Sequence, residues 1–93
     1  MIYFVDIDDT ICREYHIPLL PRIQKINELY NQGNRIVYYT SRGVAKRIDL
    51  KEQTTRQLQE WGCLYHELRL DKPVFDLLID DKAINCENFF QGV

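Results

Sequence analysis

Phe4-Val5-Asp6-Ile7-Asp8-Asp9-Thr10 is the end of an apolar run that breaks into three carboxylates within four positions. The apolar residues before the break, Ile2–Val5, read as a strand buried on both faces, as in a parallel sheet. Carboxylates crowded at its carboxyl end repel one another unless something positive sits among them, and a divalent metal would meet that need. In open α/β sheets the ligand crevice lies beyond these strand ends. The stretch therefore predicts an α/β domain with a site at the end of its first strand.

Working outward, residues 11–17 form a short connection, and Pro18 and Pro21 frame the start of a helix. Pro21 suits the first turn, where its missing N–H is not needed. Ile23, Ile26, Leu29 and Tyr30 recur at helical spacing and should face the sheet, with Gly33 closing the helix. The second strand, Arg35–Tyr39, ends in Thr40-Ser41-Arg42-Gly43, small hydroxyl groups and an arginine that again mark a strand end meeting a ligand. Asp49 and Glu52 predict a capping box for a second helix. Its stripe is Leu50, Thr54, Leu58 and Trp61, and Gly62 ends it. A short third strand is expected at residues 63–65, a loop carrying Lys72 at 66–73, and a fourth strand at 75–79 that closes in Asp80-Asp81. A last helix runs from 82 or 83 to 90, anchored by Ile84 and by Phe89 or Phe90.

Right-handed crossovers put the second strand on one side of the first. The fourth has to lie on the other side if Asp80-Asp81 is to face Asp6 and Asp8. The expected fold is thus a single compact, Rossmann-like α/β domain over residues 1–93, with a mostly parallel sheet of about four strands in spatial order 3-2-1-4.

With 45% hydrophobic and 28% charged residues, a disordered chain is not expected. A formal charge of -2 gives no reason to expect nucleic acid. No apolar run approaches the roughly 20 residues of a membrane span. Met1 leads straight into the first strand, so no signal peptide is expected. Three widely spaced cysteines, Cys12, Cys63 and Cys86, argue against a disulfide framework and against a sulfur-based zinc site. A reducing, cytoplasmic compartment is expected. Cys12 lies near the acidic loop, but no base is tied to it by sequence.

The four strand-end motifs, in order, resemble those of the haloacid dehalogenase-like hydrolase superfamily: Asp6-Ile7-Asp8-Asp9-Thr10, Thr40, Lys72 and Asp80-Asp81. Within it, Tyr39-Thr40-Ser41-Arg42-Gly43 and Leu78-Ile79-Asp80-Asp81-Lys82-Ala83-Ile84-Asn85 look most like small capsule or polysaccharide biosynthesis phosphatases. The resemblance implies a phosphomonoester hydrolase with an aspartyl-phosphate intermediate. Asp6 would be the nucleophile and Asp8 the general acid and base. Asp6, the backbone carbonyl of Asp8, Asp81 directly and Asp80 through water would hold Mg²⁺. Thr40 would hydrogen-bond the transferring phosphoryl group, and Lys72 would neutralise it and fix Asp6. Hard oxygen donors without histidine favour Mg²⁺ over zinc.

Ser41 reads as a backbone cap beside the substrate, and Arg42 as a substrate contact. Asp9 reads as a turn residue bonding backbone N–H groups, Thr10 as bonding within the acidic loop, and Arg69 as the fallback cation. His16 and His66 read as ordinary polar residues. Only about ten residues separate Thr10 from the first helix and about five separate Gly43 from Asp49, so neither interval holds a cap domain. The site should be open, with Tyr15 and His16 as a small rim. A sugar phosphate or related small phosphate ester is the favoured partner, with no nucleic acid or membrane, and with a homo-oligomer as one way to cover the site. The competing reading is a non-catalytic metal- or phosphate-binding module or regulatory subunit.

Overall fold

The computed structural model describes residues 1–93. Its elements are β1 (Ile2–Val5), β2 (Cys12–Arg13), β3 (Ile17–Pro18), α1 (Leu20–Asn31), β4 (Arg35–Tyr39), α2 (Lys51–Glu60), β5 (Glu67–Arg69) and α3 (Cys86–Phe89). β1, β4 and β5 form a three-stranded parallel sheet in that spatial order, with Val5 opposite Tyr38 and Tyr39 opposite Arg69. The first three strands thus follow the expected order.

Two crossovers of the same hand, running in the same direction across the sheet, place α1 and α2 on one face. That face carries Tyr3, Val5, Ile36 and Tyr38, which join Ile23 and Ile26 of α1 and Leu58 of α2 in one core. Both helices end at glycine, Gly33 and Gly62, each in the left-handed conformation. The expected capping box does not form. Asp49 accepts from the Lys51 N–H at 3.0 Å, but Glu52 turns outward to pair with Arg56 at 3.1 Å.

Four further expectations are corrected. β5 forms at Glu67–Arg69 rather than at residues 63–65, because the Leu64 N–H is held by the Asn27 side chain of α1 at 2.9 Å. The chain reaches the edge of β4 only at His66, whose N–H donates to the Ile36 carbonyl at 2.9 Å. The connection at 11–17 contains an antiparallel hairpin, β2 with β3. Its three-residue loop turns at Arg13–His16, closed by the His16 N–H on the Arg13 carbonyl at 3.2 Å, and the two central residues of that turn, Glu14 and Tyr15, both have positive φ.

The third correction is the largest. Residues 75–79 form no strand and lie outside the sheet, with Leu77 and Ile79 left 77% and 90% exposed. β1 is therefore an edge strand. Ile2 and Phe4, which alternate with the core-facing Tyr3 and Val5, are exposed instead of buried, because α1 and α2 cover only the opposite face. Fourth, the last helix is a single turn. Asn85 caps it by accepting from the Glu87 N–H at 2.9 Å, which fixes its start four residues before Phe89 and leaves Ile84 exposed.

α3 is docked by Phe90, which is buried, and by Glu87, which accepts from Arg13 at 2.9 Å and Arg22 at 2.7 Å. Those guanidinium groups, Arg22 foremost, hold the Glu87 carboxyl below its ordinary 4.5. A depressed carboxylate contributes stability that is complete above its unfolded value and is lost as pH falls through the folded one. Acidification below pH 4.5 should loosen the C-terminal turn first. Amide hydrogen exchange at Phe89 and Phe90, followed from pH 6 to pH 3, should rise ahead of exchange in β4; simultaneous loss would contradict this docking account.

No helix is long and apolar enough to cross a membrane. No cap domain is present, and the helices flank a parallel three-stranded sheet.

Candidate functional site

Side chains alternate along an extended chain, so Asp6 and Asp8 leave the end of β1 on one side and Ile7 enters the core, fully buried, on the other. The chain then turns: the Ile7 carbonyl accepts from Thr10 N–H at 3.1 Å and Ile11 N–H at 2.9 Å. Asp9 holds the left-handed conformation that this turn needs, at φ 62°, one that Asp tolerates better than most residues. Its carboxylate is 81% exposed, so it serves the turn through its backbone rather than through side-chain bonds to N–H groups. The Thr10 hydroxyl donates to Asp6 Oδ2 at 3.2 Å, inside the acidic loop as expected.

Lys72 comes from the other side of the sheet. Its backbone N–H donates to the Thr40 carbonyl at 3.2 Å, which fastens the loop after β5 to the end of β4. Its Nζ then lies 3.3 Å from Asp6 Oδ1. Asp6 keeps about a third of its side chain exposed and so remains reachable. Arg69 does not stand in for Lys72, because both its bonds go to Asp71.

Arg42 occupies a different place from the expected substrate contact. Its side chain is 2% exposed, and it grips both oxygens of Asp8, at 2.9 and 2.8 Å. Gln57 accepts from it at 2.6 Å, the Tyr15 carbonyl at 3.2 Å, and the Tyr15 ring lies 3.9 Å from the guanidinium carbon. It acts as a buried clamp on Asp8. Thr40 is also buried; its hydroxyl accepts from the Arg42 N–H at 3.2 Å, so the end of β4 positions both cations. Gly43 follows at φ +80°, and a Cβ there would lie 2.1 Å from the Ile48 carbonyl oxygen, so only glycine fits. That tight loop shapes a cleft of about 410 Å³ lined by Asp8, Tyr15, Ser41, Arg42 and Lys46.

Tyr15 thus forms the rim the sequence suggests, whereas His16 only meets the Glu14 carbonyl. His66 accepts the Ile36 N–H and stacks on Tyr30, both structural roles. Gln57 and Tyr15 as partners of Arg42 were not legible from spacing, since they lie 15 and 27 positions away.

Asp80 and Asp81 are not brought to the site. Both are exposed, and Asp80 accepts from the Lys82 N–H at 3.1 Å, the first cause holding its carboxyl below the usual range. No group of three or more His, Cys, Asp or Glu side chains gathers closely enough to hold a metal ion. Asp6 is engaged by Lys72 and Thr10, and Asp8 by Arg42. Within one copy of the chain, the donor set expected for Mg²⁺ is therefore not assembled, because Asp6 and Asp8 are held by cations and the Asp80-Asp81 pair lies elsewhere.

Cys12 is buried beside Asp8, and burial first, then that carboxylate, pushes its thiol up to about 11. Burial pushes Cys63 up to about 11 as well. Both are protonated at neutral pH and unsuited to attack. At pH 8 the folded protein should consume one equivalent of a thiol reagent rapidly, at Cys86, and three after denaturation. Fast modification of Cys12 would refute the burial argument.

No protein-family model matches the chain, and no curated protein matches it. Among solved structures it is similar to a Vibrio cholerae protein determined as an MCSG target, at 24% identity and a TM-score of 0.86, covering 97% of this chain and 87% of that one. That likeness establishes a shared fold from nearly one end of the chain to the other.

Proposed function

We propose that the chain is a phosphomonoester hydrolase of the haloacid dehalogenase-like type, with Asp6 as nucleophile and Asp8 as general acid and base. The observation that carries the reading is the Asp6–Lys72 pair. Residues 66 positions apart place a reachable carboxylate and an ammonium 3.3 Å from each other at the carboxyl end of a parallel sheet. A carboxylate attacks an anionic phosphate ester poorly unless cations screen the repulsion. Lys72 supplies one such charge where the phosphoryl group would sit.

In this reading an Asp6 oxygen bonds to phosphorus as the ester P–O bond breaks, and Asp8 gives its proton to the departing alkoxide. Water then attacks the aspartyl phosphate, Asp8 takes the proton back, and the Asp6 carboxylate is released with inorganic phosphate. Thr40 aligns both cations, and its buried hydroxyl would meet the phosphoryl group only once the end of β4 is uncovered. Asp8 can carry a proton only on an oxygen freed from Arg42, so the acid step needs that bidentate contact to loosen on one side. The cleft beside Ser41 and Lys46 suits the leaving alcohol of a sugar phosphate or related small ester.

A second reading, a phosphate-binding module without turnover, draws on one feature: both Asp8 oxygens are already occupied. Release of inorganic phosphate from a panel of sugar phosphates and nucleotides, with Mg²⁺ and with chelator, separates the two. Turnover that disappears in Asp6→Asn supports the hydrolase. Phosphate binding without any turnover by the folded protein overturns it.

A further inference from the structure

We propose that residues 75–79 of a second copy of this chain add to the free edge of β1 and carry Asp80 and Asp81 to the site beside Asp6. The site is then shared between two copies.

The edge and the segment are both present and neither is paired in a sheet; Phe75 only lays its ring 5.6 Å from Lys72 Nζ. β1 pairs on one side only, with β4, and shows Ile2 and Phe4 at its surface. The sequence of residues 75–79, Phe-Asp-Leu-Leu-Ile, has Phe75, Leu77 and Ile79 alternating on one side of an extended chain, yet none of them is buried. An extended apolar segment without a sheet partner and a strand edge with unpaired backbone N–H and C=O groups, both in the same small protein, are complementary. Parallel addition to β1 places the end of the segment at the carboxyl end of the sheet, where Asp6 lies.

Chain length decides against the segment's own β1. Lys72 is tied to Thr40 at the carboxyl end of β4. For a parallel addition Phe75 would have to start level with Ile2, which lies opposite Arg35. That is about 16 Å back along the sheet and about 10 Å across it, roughly 19 Å in all. The three residues from Lys72 to Phe75 span at most about 11 Å. An antiparallel addition could be reached, but it would leave Asp80 and Asp81 at the wrong end. A segment from a second copy is not tethered in this way. Its return to its own α3, five residues after Asp81, covers up to about 18 Å, which limits how far apart the two sites can lie.

The exchange also supplies what one copy lacks. Asp80 and Asp81 arriving beside Asp6 bring like charges together, which a divalent cation offsets. Delivery of these carboxylates to a phosphate centre rests on the function proposed above; the strand exchange does not.

Light scattering should give twice the 11.2 kDa chain mass, and Leu77→Asp, on an already exposed side chain, should yield a folded monomer. Mg²⁺ should tighten the wild-type dimer but not the Asp80→Asn/Asp81→Asn dimer. With p-nitrophenyl phosphate and Mg²⁺, Asp6→Asn and Asp80→Asn/Asp81→Asn should each be inactive alone. Mixed with exchange of chains, they should recover about one quarter of wild-type activity, because half the dimers are mixed and each has one intact site. A monomeric wild type, or an active wild type whose two variants never complement, overturns the exchange while leaving the hydrolase standing. A dimer that Leu77→Asp dissociates and Mg²⁺ tightens, without turnover of any ester, supports the exchange and removes the hydrolase.

Discussion

Phosphate release by the Asp6→Asn protein should fall by about 10³-fold or more, the scale seen when an enzyme loses its nucleophile. The amide keeps the size of the carboxylate and its bond from Thr10 but cannot form the acyl phosphate. Stability should change little, because Asp6 is partly exposed and Lys72, 21% exposed, regains water when the charge is removed. Lys72→Met should mimic part of the loss, about 10²-fold, because it removes a charge aimed at the reacting group. Circular dichroism on both variants separates lost chemistry from lost folding. Equal activity in wild type and Asp6→Asn would end the assignment of the nucleophile.

Arg42→Ala should be the most destabilising single substitution at the site. The guanidinium is buried and bonded to Asp8, Gln57, Thr54 and the Tyr15 carbonyl, so its removal strands several acceptors and one carboxylate. Breaking a buried ion pair from one side costs 3–5 kcal/mol. Asp8 retains 36% exposure, which points to the low end, about 3 kcal/mol. For a domain of this size that corresponds to a fall in Tm of roughly 15 °C. Arg42→Lys should recover little, because one ammonium cannot replace the planar fork on both Asp8 oxygens. Thermal melts of the two variants test this. A loss under about 1 kcal/mol in Arg42→Ala would mean that the clamp is weaker than its geometry.

The amphipathic elements were legible because their signals are local. Ile23, Ile26 and Leu58 declare buried helix faces through spacing, and Ile36-Val37-Tyr38 declares a central strand through its continuous apolar run. The pairing of Asp6 with Lys72 and the bonding of Thr10 to Asp6 also match the expectations drawn from the motifs. Arg42 was misplaced because its sequence neighbourhood, a strand end rich in hydroxyl groups, is the same for a residue that meets substrate and one that orders a carboxylate. Only the position of α2, which brings Thr54 and Gln57 over it, distinguishes the two.

By itself the sequence determined the α/β class, the parallel pairing of the first strands and the residue types at the end of β1, since periodicity and turn chemistry act over a few residues. The tertiary structure decided which edge stays open, which carboxylate Arg42 clamps, and that residues 75–79 remain outside the sheet. Those outcomes depend on how far a loop of fixed length can reach from Lys72 and on which side chains meet across 30 or more positions. Neither quantity is written in local sequence.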